Sequence, residues 1–365
     1  MRILYGVVGE GMGHATRSRV ILDHLIQRHE VEIVVSGRAH GFLSRAFPGL
    51  RVHEITGLNM VYEDNAVRRS RTALDFLKKL PAFADNHALF ASIEQRFHPQ
   101  LVISDFESFS YLYGKVHDLP IVSIDNMQVI NRCALDVEIP PSLMGSYRTA
   151  KALVKAKLPR CAAYLVTTFF FPPVRKPRTR LYPPILRDAI LDAPRSEGDH
   201  VLVYQTSDSF RELVPTLQRL PSRFLVYGLG REERLGNVEL RAFSETGFVA
   251  DLASARAVIT GGGYSLMGEA VYLGKPVYSI PLVGQFEQTL NALYLDKLSY
   301  GEYHETIDEG SILRFLDRAP RYKEALASHR QDRNRLILDA LDELVDRVAR
   351  TGRIVTPGEM AEADD

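Results

Sequence analysis

Two glycine-rich stretches carry the residues best suited to chemistry in this chain. Gly261-Gly-Gly-Tyr-Ser265 follows a short apolar run and leads one helical turn later to Glu269. Glycine lets a backbone approach an anion, and the free N–H groups at a helix start favour negative charge there. This stretch therefore predicts a phosphate loop with a carboxylate that can reach a sugar hydroxyl; a tight strand-to-helix turn with a surface carboxylate is the alternative. The second stretch, Gly9-Glu-Gly-Met-Gly13, directly follows the apolar run 3–8, and His14 comes next.

Apolar runs indicate which elements position these loops. Continuous runs predict strands buried on both faces of parallel sheets. They fall at 3–8, 31–35, 51–55, 101–105, 121–124 and 164–168, and again at 201–204, 224–227, 238–240, 257–260 and 277–281. Helices are predicted between them, including 14–26 and 106–116. The fold class is therefore α/β, with two doubly wound Rossmann-like parallel-sheet domains.

Proline spacing and helical periodicity divide the chain further. We expect an N-terminal domain at 1–172, a proline-rich linker at 173–187, a C-terminal domain at 188–324 and a C-terminal helix at 325–352 that packs back on the first domain. Residues 353–365 are small and acidic and are expected to fray.

Charge and composition exclude several function classes. The 45 basic and 45 acidic residues balance, so no global field favours nucleic acid. Two cysteines suit neither a disulfide framework nor a four-ligand zinc site. No uncharged stretch approaches the roughly 20 residues of a membrane span. The expected location is the cytoplasm, with contact to the inner face of the cell membrane as a further hypothesis; the oligomeric state is left open.

Basic segments at 68–79 and 148–180 motivate that membrane hypothesis. No Asp or Glu occurs between Ile139 and Arg187, whereas apolar residues such as Leu153 and the run Phe169-Phe170-Phe171 lie among the basic ones. Such segments suit contact with an anionic membrane. A solvated helix face leading into the last strand of the first domain is the equal alternative.

The first glycine loop also permits a dinucleotide-binding interpretation. Its spacing is Gly-x-Gly-x-Gly, and the second strand ends in Ser36-Gly-Arg38 without an acidic residue for a ribose, so NAD is disfavoured. Asp105 ends another strand of the same sheet. It is expected to share a crevice with His14, although an Asp that caps the next helix is the alternative.

Residues in four places resemble the two-domain GT-B glycosyltransferases, in particular the peptidoglycan N-acetylglucosaminyltransferase and the family-1 UDP-glycosyltransferases. Gly11-Met-Gly13-His14 is similar to their first glycine loop, and Asp105 stands where plant-type enzymes have the Asp that holds the catalytic His. Phe248-Val249-Ala-Asp-Leu252 is similar to the helix opening that meets the uracil. The fourth place is the donor signature, from Gly262-Gly263-Tyr264-Ser265 through Glu269 to the region Gln285 to Asn291.

The resemblance implies two domains that face a central crevice and the following site. His14 is the catalytic base and Asp105 its partner; Glu269 holds ribose hydroxyls. The region around Gln285 and Gln288 holds the donor sugar. The Glu287-Gln288 pair differs from the Gln-Gln and Asp-Gln pairs of those enzymes, which leaves the sugar's identity open. Because Thr260 and Gly261 replace the His that plant-type enzymes place before these glycines, phosphate binding is assigned to backbone N–H groups, Gly13 and Ser265, faced by Thr206 or Ser207.

The implied activity is inverting transfer of a sugar from a nucleotide diphosphate donor, UDP-linked, to a hydroxyl of a lipid-linked or cell-envelope acceptor. No Asp-x-Asp metal motif stands in a suitable position, so no metal and no cofactor is expected. Gly11-Met-Gly13-His14-Ala-Thr-Arg17 also resembles the loop of UDP-sugar hydrolases in nonulosonate synthesis, so hydrolysis is the first alternative. A non-hydrolysing epimerase is more distant, and a non-catalytic protein that binds nucleotide sugars is the alternative from another class.

Overall fold

The computed structural model describes residues 1–9, 11–56, 62–63, 66–67, 83–206 and 210–354. In its N-terminal half the strands are β1 (Arg2–Val7), β2 (Glu30–Ser36), β3 (Arg51–Ile55), β4 (Tyr62–Glu63), β5 (Ala66–Val67), β6 (Leu101–Asp105), β7 (Ile121–Asp125), β8 (Ala163–Thr167) and β9 (Thr179–Tyr182). The helices are α1 (Met12–Leu25), α2 (Arg38–Ala46), α3 (Phe83–Arg96), α4 (Ser108–Val116), α5 (Val129–Arg132) and α6 (Met144–Lys157), the last preceded by a 3₁₀ turn at Pro141–Leu143.

In the C-terminal half the strands are β10 (His200–Tyr204), β11 (Arg223–Tyr227), β12 (Glu233–Leu235), β13 (Val238–Arg241), β14 (Ala257–Thr260), β15 (Val277–Ser279) and β16 (Gly301–Tyr303). The helices are α7 (Asp188–Leu191), α8 (Leu213–Gln218), α9 (Glu245–Ser254), α10 (Tyr264–Tyr272), α11 (Phe286–Lys297), α12 (Glu309–Leu326) and α13 (Arg335–Thr351).

Fourteen of these strands form two large sheets, and β4 and β5 form a separate antiparallel pair. The first has seven strands in the order β3-β2-β1-β6-β7-β8-β9, all parallel, and the second has seven in the order β12-β13-β11-β10-β14-β15-β16, parallel except for β12. Strand order reverses between β1 and β6 in the first sheet and between β10 and β14 in the second. Ligands of open α/β sheets bind at such reversals. The prediction of two doubly wound α/β domains is confirmed.

Alternation along the first strand explains how the sheet is covered on both faces. Ile3, Tyr5 and Val7 are buried against α1 and the C-terminal helix α13, whereas Leu4 points to the opposite face, which α3 and α4 cover. Helix α13 lies on this sheet because its apolar residues, Ile337, Leu341, Val345 and Val348, recur at helical spacing on one face. The C-terminal helix thus completes the first domain's core.

One strand lies inside the segment predicted to be a linker. Thr179 to Tyr182 pairs with β8 and extends the first sheet by one strand. Pro177 and Pro183 flank it, and prolines suit the ends of an edge strand because they cannot donate to the ladder. The first sheet therefore ends at Tyr182 rather than before residue 173.

Candidate active site

The two residues predicted to act together meet at the strand-order reversal of the first sheet. Asp105 is the last residue of β6, and His14 lies in the first turn of α1, which follows the neighbouring strand β1. The Nδ1 atom of His14 lies 2.8 Å from Oδ1 of Asp105. Asp105 is buried, while the His14 side chain keeps 15% of its exposure. The imidazole therefore has a buried carboxylate behind it and solvent access in front.

Asp105 does not cap the helix that follows it. The N-cap of α4 is Glu107, whose carboxylate accepts hydrogen bonds from the backbone N–H groups of Phe109 and Ser110. The carboxylate of Asp105 is instead bound by side chains of α1. The alternative interpretation of Asp105 as a capping residue is wrong, because a different acidic residue occupies the cap.

Arg17 is a second partner of Asp105 that the sequence interpretation did not single out. It lies one turn after His14 on α1, is buried, and donates from Nε to Oδ2 at 2.8 Å and from Nη2 to Oδ1 at 2.5 Å. The Ser18 hydroxyl also donates to Oδ2, at 3.0 Å. Burial alone would raise the pKa of Asp105, but the charge of Arg17, with His14, holds this pKa well below its usual range. Asp105 is therefore a carboxylate with a full set of donors.

The second glycine loop approaches the first one directly. Gly262 has φ +90°, a conformation that favours glycine, and a Cβ there would lie 2.8 Å from the carbonyl oxygen of Gln288. Across the crevice, a Cβ on Gly13 would lie 2.5 Å from the Ser265 hydroxyl. Helix α10 begins at Tyr264, so the first N–H groups of this helix lie beside the His14 loop. The two loops thus form the opposing walls of one site.

The carboxylate of Glu269 already has a charged partner, whereas the sequence suggested a carboxylate open to a sugar hydroxyl. It is buried, and Arg187 pairs with both carboxylate oxygens, from Nε at 2.9 Å and from Nη2 at 3.1 Å. Arg187 also donates to Glu245 at 3.1 Å. Burial raises the pKa of Glu269 despite this neighbouring cation. A ribose hydroxyl that binds Glu269 would share the carboxylate with Arg187.

The helix that carries Phe248 begins earlier than predicted. Ser244 is its N-cap and accepts from the N–H of Gly247, so Phe248 and Val249 lie inside α9 with buried side chains. The N–H of Phe248 already donates to the carbonyl of Ser244. The prediction that the helix opens at Phe248 is wrong; the exposed helix start is three residues earlier, at Glu245.

The other residues predicted to bind the donor substrate lie in loops and helix starts of the second domain. Tyr264 is buried, with its ring stacked 6.5 Å from that of Phe169 in the first domain. Gln288 accepts from the N–H of Leu282 at 3.0 Å and so holds the loop before α11. Gln285 precedes that helix, and Thr206 is exposed after β10. Ser207 lies outside the described residues.

Glu287 contacts the first domain. Its Oε1 accepts from the amide of Asn126 at 2.7 Å, and the Oδ1 of Asn126 in turn accepts from Nη1 of Arg17 at 2.6 Å. Asn126 follows β7, at the same edge of the first sheet as Asp105. Neither Asn126 nor Arg17 was predicted as a site residue, although Asn126 directly follows a strand-ending Asp, a signal that could have been used.

The phenylalanine run predicted for membrane contact is mostly interior. Phe169 and Phe170 are buried, and Phe170 stacks on Tyr294 of α11 with ring centroids 3.8 Å apart. The Tyr294 hydroxyl donates to Asp136 at 2.7 Å. These contacts join the domains, so Phe171, which is 56% exposed, is the one residue of this run that still fits the membrane hypothesis. The basic segment 68–79 lies outside the described residues.

Two paired sheets with opposing loops at their order reversals define the GT-B class of glycosyltransferase fold. Over residues 1–320 the chain matches the family model described as glycosyl transferase family 1. The chain therefore belongs to this family. Uncharacterized glycosyltransferases of Methanosarcina mazei and Methanosarcina acetivorans are each 23% identical to it, over 340 and 328 residues that cover 82% of this chain and 85% of the relative.

Solved structures share the fold at low identity. The glycotransferase of kitacinnamycin superposes with a TM-score of 0.67 at 17% identity, covering 95% of this chain and 98% of its own. A Phytolacca americana enzyme complexed with UDP-2-fluoro-glucose and pterostilbene gives 0.64 at 14% identity, with coverage of 94% and 98%. The calicheamicin glycosyltransferase gives 0.60 at 18% identity, with coverage of 96% and 98%.

The described residues contain neither a metal-binding cluster nor a membrane-spanning helix. No group of three or more His, Cys, Asp or Glu side chains among them is arranged to hold a metal ion. None of the described helices has the length and apolar character needed to cross a bilayer.

Proposed function

We propose that this protein is an inverting glycosyltransferase that moves a sugar from a nucleotide diphosphate donor, UDP-linked, to a hydroxyl acceptor without a metal ion. The hydrogen bond between His14 and Asp105, beside the start of α10, is the observation that carries the proposal. An acceptor hydroxyl has a pKa far above neutral and needs a base within reach. His14 supplies this base from Nε2, and Asp105 orients the ring and stabilises the imidazolium.

The second glycine loop and the start of α10, which form the opposite wall of the site, stabilise the leaving group. A nucleotide diphosphate gains charge on its β-phosphate as the glycosidic bond breaks. The first N–H groups of α10 and the Ser265 hydroxyl are the donors we assign to this charge, with Glu269 on the ribose. Attack by the acceptor oxygen in one step inverts the anomeric carbon. The UDP sugar held by the Phytolacca enzyme, which shares the fold, supports UDP as the nucleotide.

The proposal is tested by measuring the turnover of a panel of nucleotide sugars by the wild type and by His14→Ala. We expect the variant to lose turnover while binding the same nucleotide, measured by calorimetry, because His14 acts on the acceptor. EDTA should leave the wild-type rate unchanged. NMR of the product should show the opposite anomeric configuration to the donor.

The same assay separates the alternatives. Release of UDP and free sugar at full rate without any acceptor would replace the transferase with a hydrolase. A changed sugar still attached to its nucleotide would indicate an epimerase. Binding without turnover for every acceptor would identify a nucleotide-sugar sensor.

For the acceptor, we propose a lipid-linked or envelope glycan met at an anionic membrane surface on the cytoplasmic side. The support is the exposed apolar set of Leu153, Phe171 and Val174, which lies among the basic residues of segment 148–180. Flotation with liposomes tests this: binding should require anionic lipid and fall when Phe171 and Leu153 are changed to Ser. Equal flotation with neutral vesicles, or none with either, would favour a soluble acceptor.

A further inference from the structure

Two groups compete for one nitrogen of His14. Its Nδ1 lies 2.8 Å from Oδ1 of Asp105 and 2.6 Å from Nη2 of Arg17. In a neutral imidazole, Nδ1 carries either a proton or a lone pair. With the proton it donates to Asp105, and Nε2 is the basic nitrogen. With the lone pair it accepts from Arg17, the proton sits on Nε2, and the ring cannot take a proton from an acceptor at that atom.

The position of Arg17 depends on a residue outside its own helix. Nε and Nη2 donate to Asp105, and Nη1 donates to the Oδ1 of Asn126 at 2.6 Å. Asn126 is 4% exposed, and its Nδ2 donates to Glu287 at 2.7 Å. The amide thus joins the buried guanidinium to a carboxylate on the first turn of α11 in the other domain.

We propose that Arg17 and Asn126 are positioning residues that convert the cross-domain contact with Glu287 into the tautomer of His14 that can act as a base. This rests on the proposed function. While Glu287 holds the Asn126 amide, Asn126 holds Nη1, and the guanidinium stays side-on to Asp105. Asp105 then remains the acceptor for the Nδ1 proton. When the contact is lost, Nη1 is no longer held in place. Nη2, which already lies 2.6 Å from Nδ1, can then shift its donation from Oδ1 of Asp105 to Nδ1, and this moves the proton to Nε2.

NMR of the His14 ring nitrogens measures the tautomer directly. With ¹⁵N-labelled histidine, Nδ1 and Nε2 have distinct shifts in the two tautomers, and His14→Gln assigns the signals. We expect Nδ1–H in the wild type and Nε2–H in Asn126→Ala, which removes both amide contacts. Glu287→Ala breaks the chain from the other domain, at a less buried position, and should cause the same change.

A matched control is Asn131→Ala, which removes a neighbouring amide that accepts from Lys176 and has no contact with Arg17. Its tautomer should be that of the wild type. If Asn126→Ala and Glu287→Ala also keep the wild-type tautomer, or if the wild type already carries Nε2–H, the proposal is overturned.

Kinetics separate this inference from the function on which it rests. For Asn126→Ala we expect kcat to fall roughly tenfold, as for coupled neighbours in one hydrogen-bond network. If the variants change tautomer as expected but the wild type consumes no nucleotide sugar, the positioning roles stand and the transferase function is rejected. If the wild type transfers sugar normally but Asn126→Ala keeps the wild-type tautomer, the transferase function stands and the positioning roles are rejected.

Discussion

Replacing Arg17 by Met should destabilise the N-terminal domain strongly. The side chains of Arg17 and Asp105 retain only 4% and 1% of their exposure, so the substitution leaves a buried carboxylate without its cationic partner. Breaking such a pair from one side costs about 3–5 kcal/mol. At about 2–4 °C for each kcal/mol in a domain of this size, the melting temperature should fall by about 6–20 °C, as measured by scanning calorimetry.

Two further variants make this measurement decisive. Arg19→Met, on the same helix, removes a surface pair with Asp23 at 3.7 Å and should cost about 0–1 kcal/mol. The double variant Arg17→Met/Asp105→Asn removes both buried charges and should recover most of the loss. If Arg17→Met melts no lower than Arg19→Met, or if the double variant melts lower than Arg17→Met, the buried charge is not the cause.

Three other predictions concern the same site. Arg187→Ala should weaken donor binding roughly tenfold in calorimetry, because Glu269 loses the partner that orients it; unchanged affinity would separate Glu269 from the donor. Gly262→Ala should destabilise the protein by about 1–3 kcal/mol in urea titration, because its φ is +90°, whereas Gly49→Ala, with open space around it, should not. Because the folded-state pKa of Asp105 is depressed, its stabilising contribution is present above the unfolded pKa of about 3.9 and is lost as pH falls below it. The stability difference between wild type and Asp105→Asn should therefore shrink from pH 5 to pH 3, and a constant difference would contradict the shift.

The sequence predicted the sheets well because buried parallel strands are continuous apolar runs between polar loops. Most predicted strands match observed ones within one or two residues, as at Leu101–Asp105. The strand Thr179–Tyr182 was missed, since four residues of mixed polarity between prolines carry no such signal. Helix starts were predicted less well. Ser244 is a side-chain cap that sequence rules for capping could have found, whereas Glu107 is not among the residue types that these rules name for a cap.

Contacts between distant residues were beyond sequence reasoning. Arg187 and Glu269 are 82 positions apart, and nothing local marks them as partners. Phe169 and Phe170 illustrate a different limit, because an apolar run among basic residues suits a membrane surface and an interface between domains equally. Only the stack on Tyr294 decides between the two. The roles proposed for His14 and Asp105 stay predictions until turnover is measured.

The position of α13 has a consequence for how the chain folds as it is synthesised. The first strand packs against Ile337 and Leu341, so this strand leaves the ribosome long before the helix that covers it. Until then, the outer face of the first sheet lacks its C-terminal cover and exposes apolar surface to the solvent. The N-terminal domain therefore cannot reach its final stability before α13 is synthesised, and a nascent chain truncated before Arg335 should depend on chaperones more than one that includes α13.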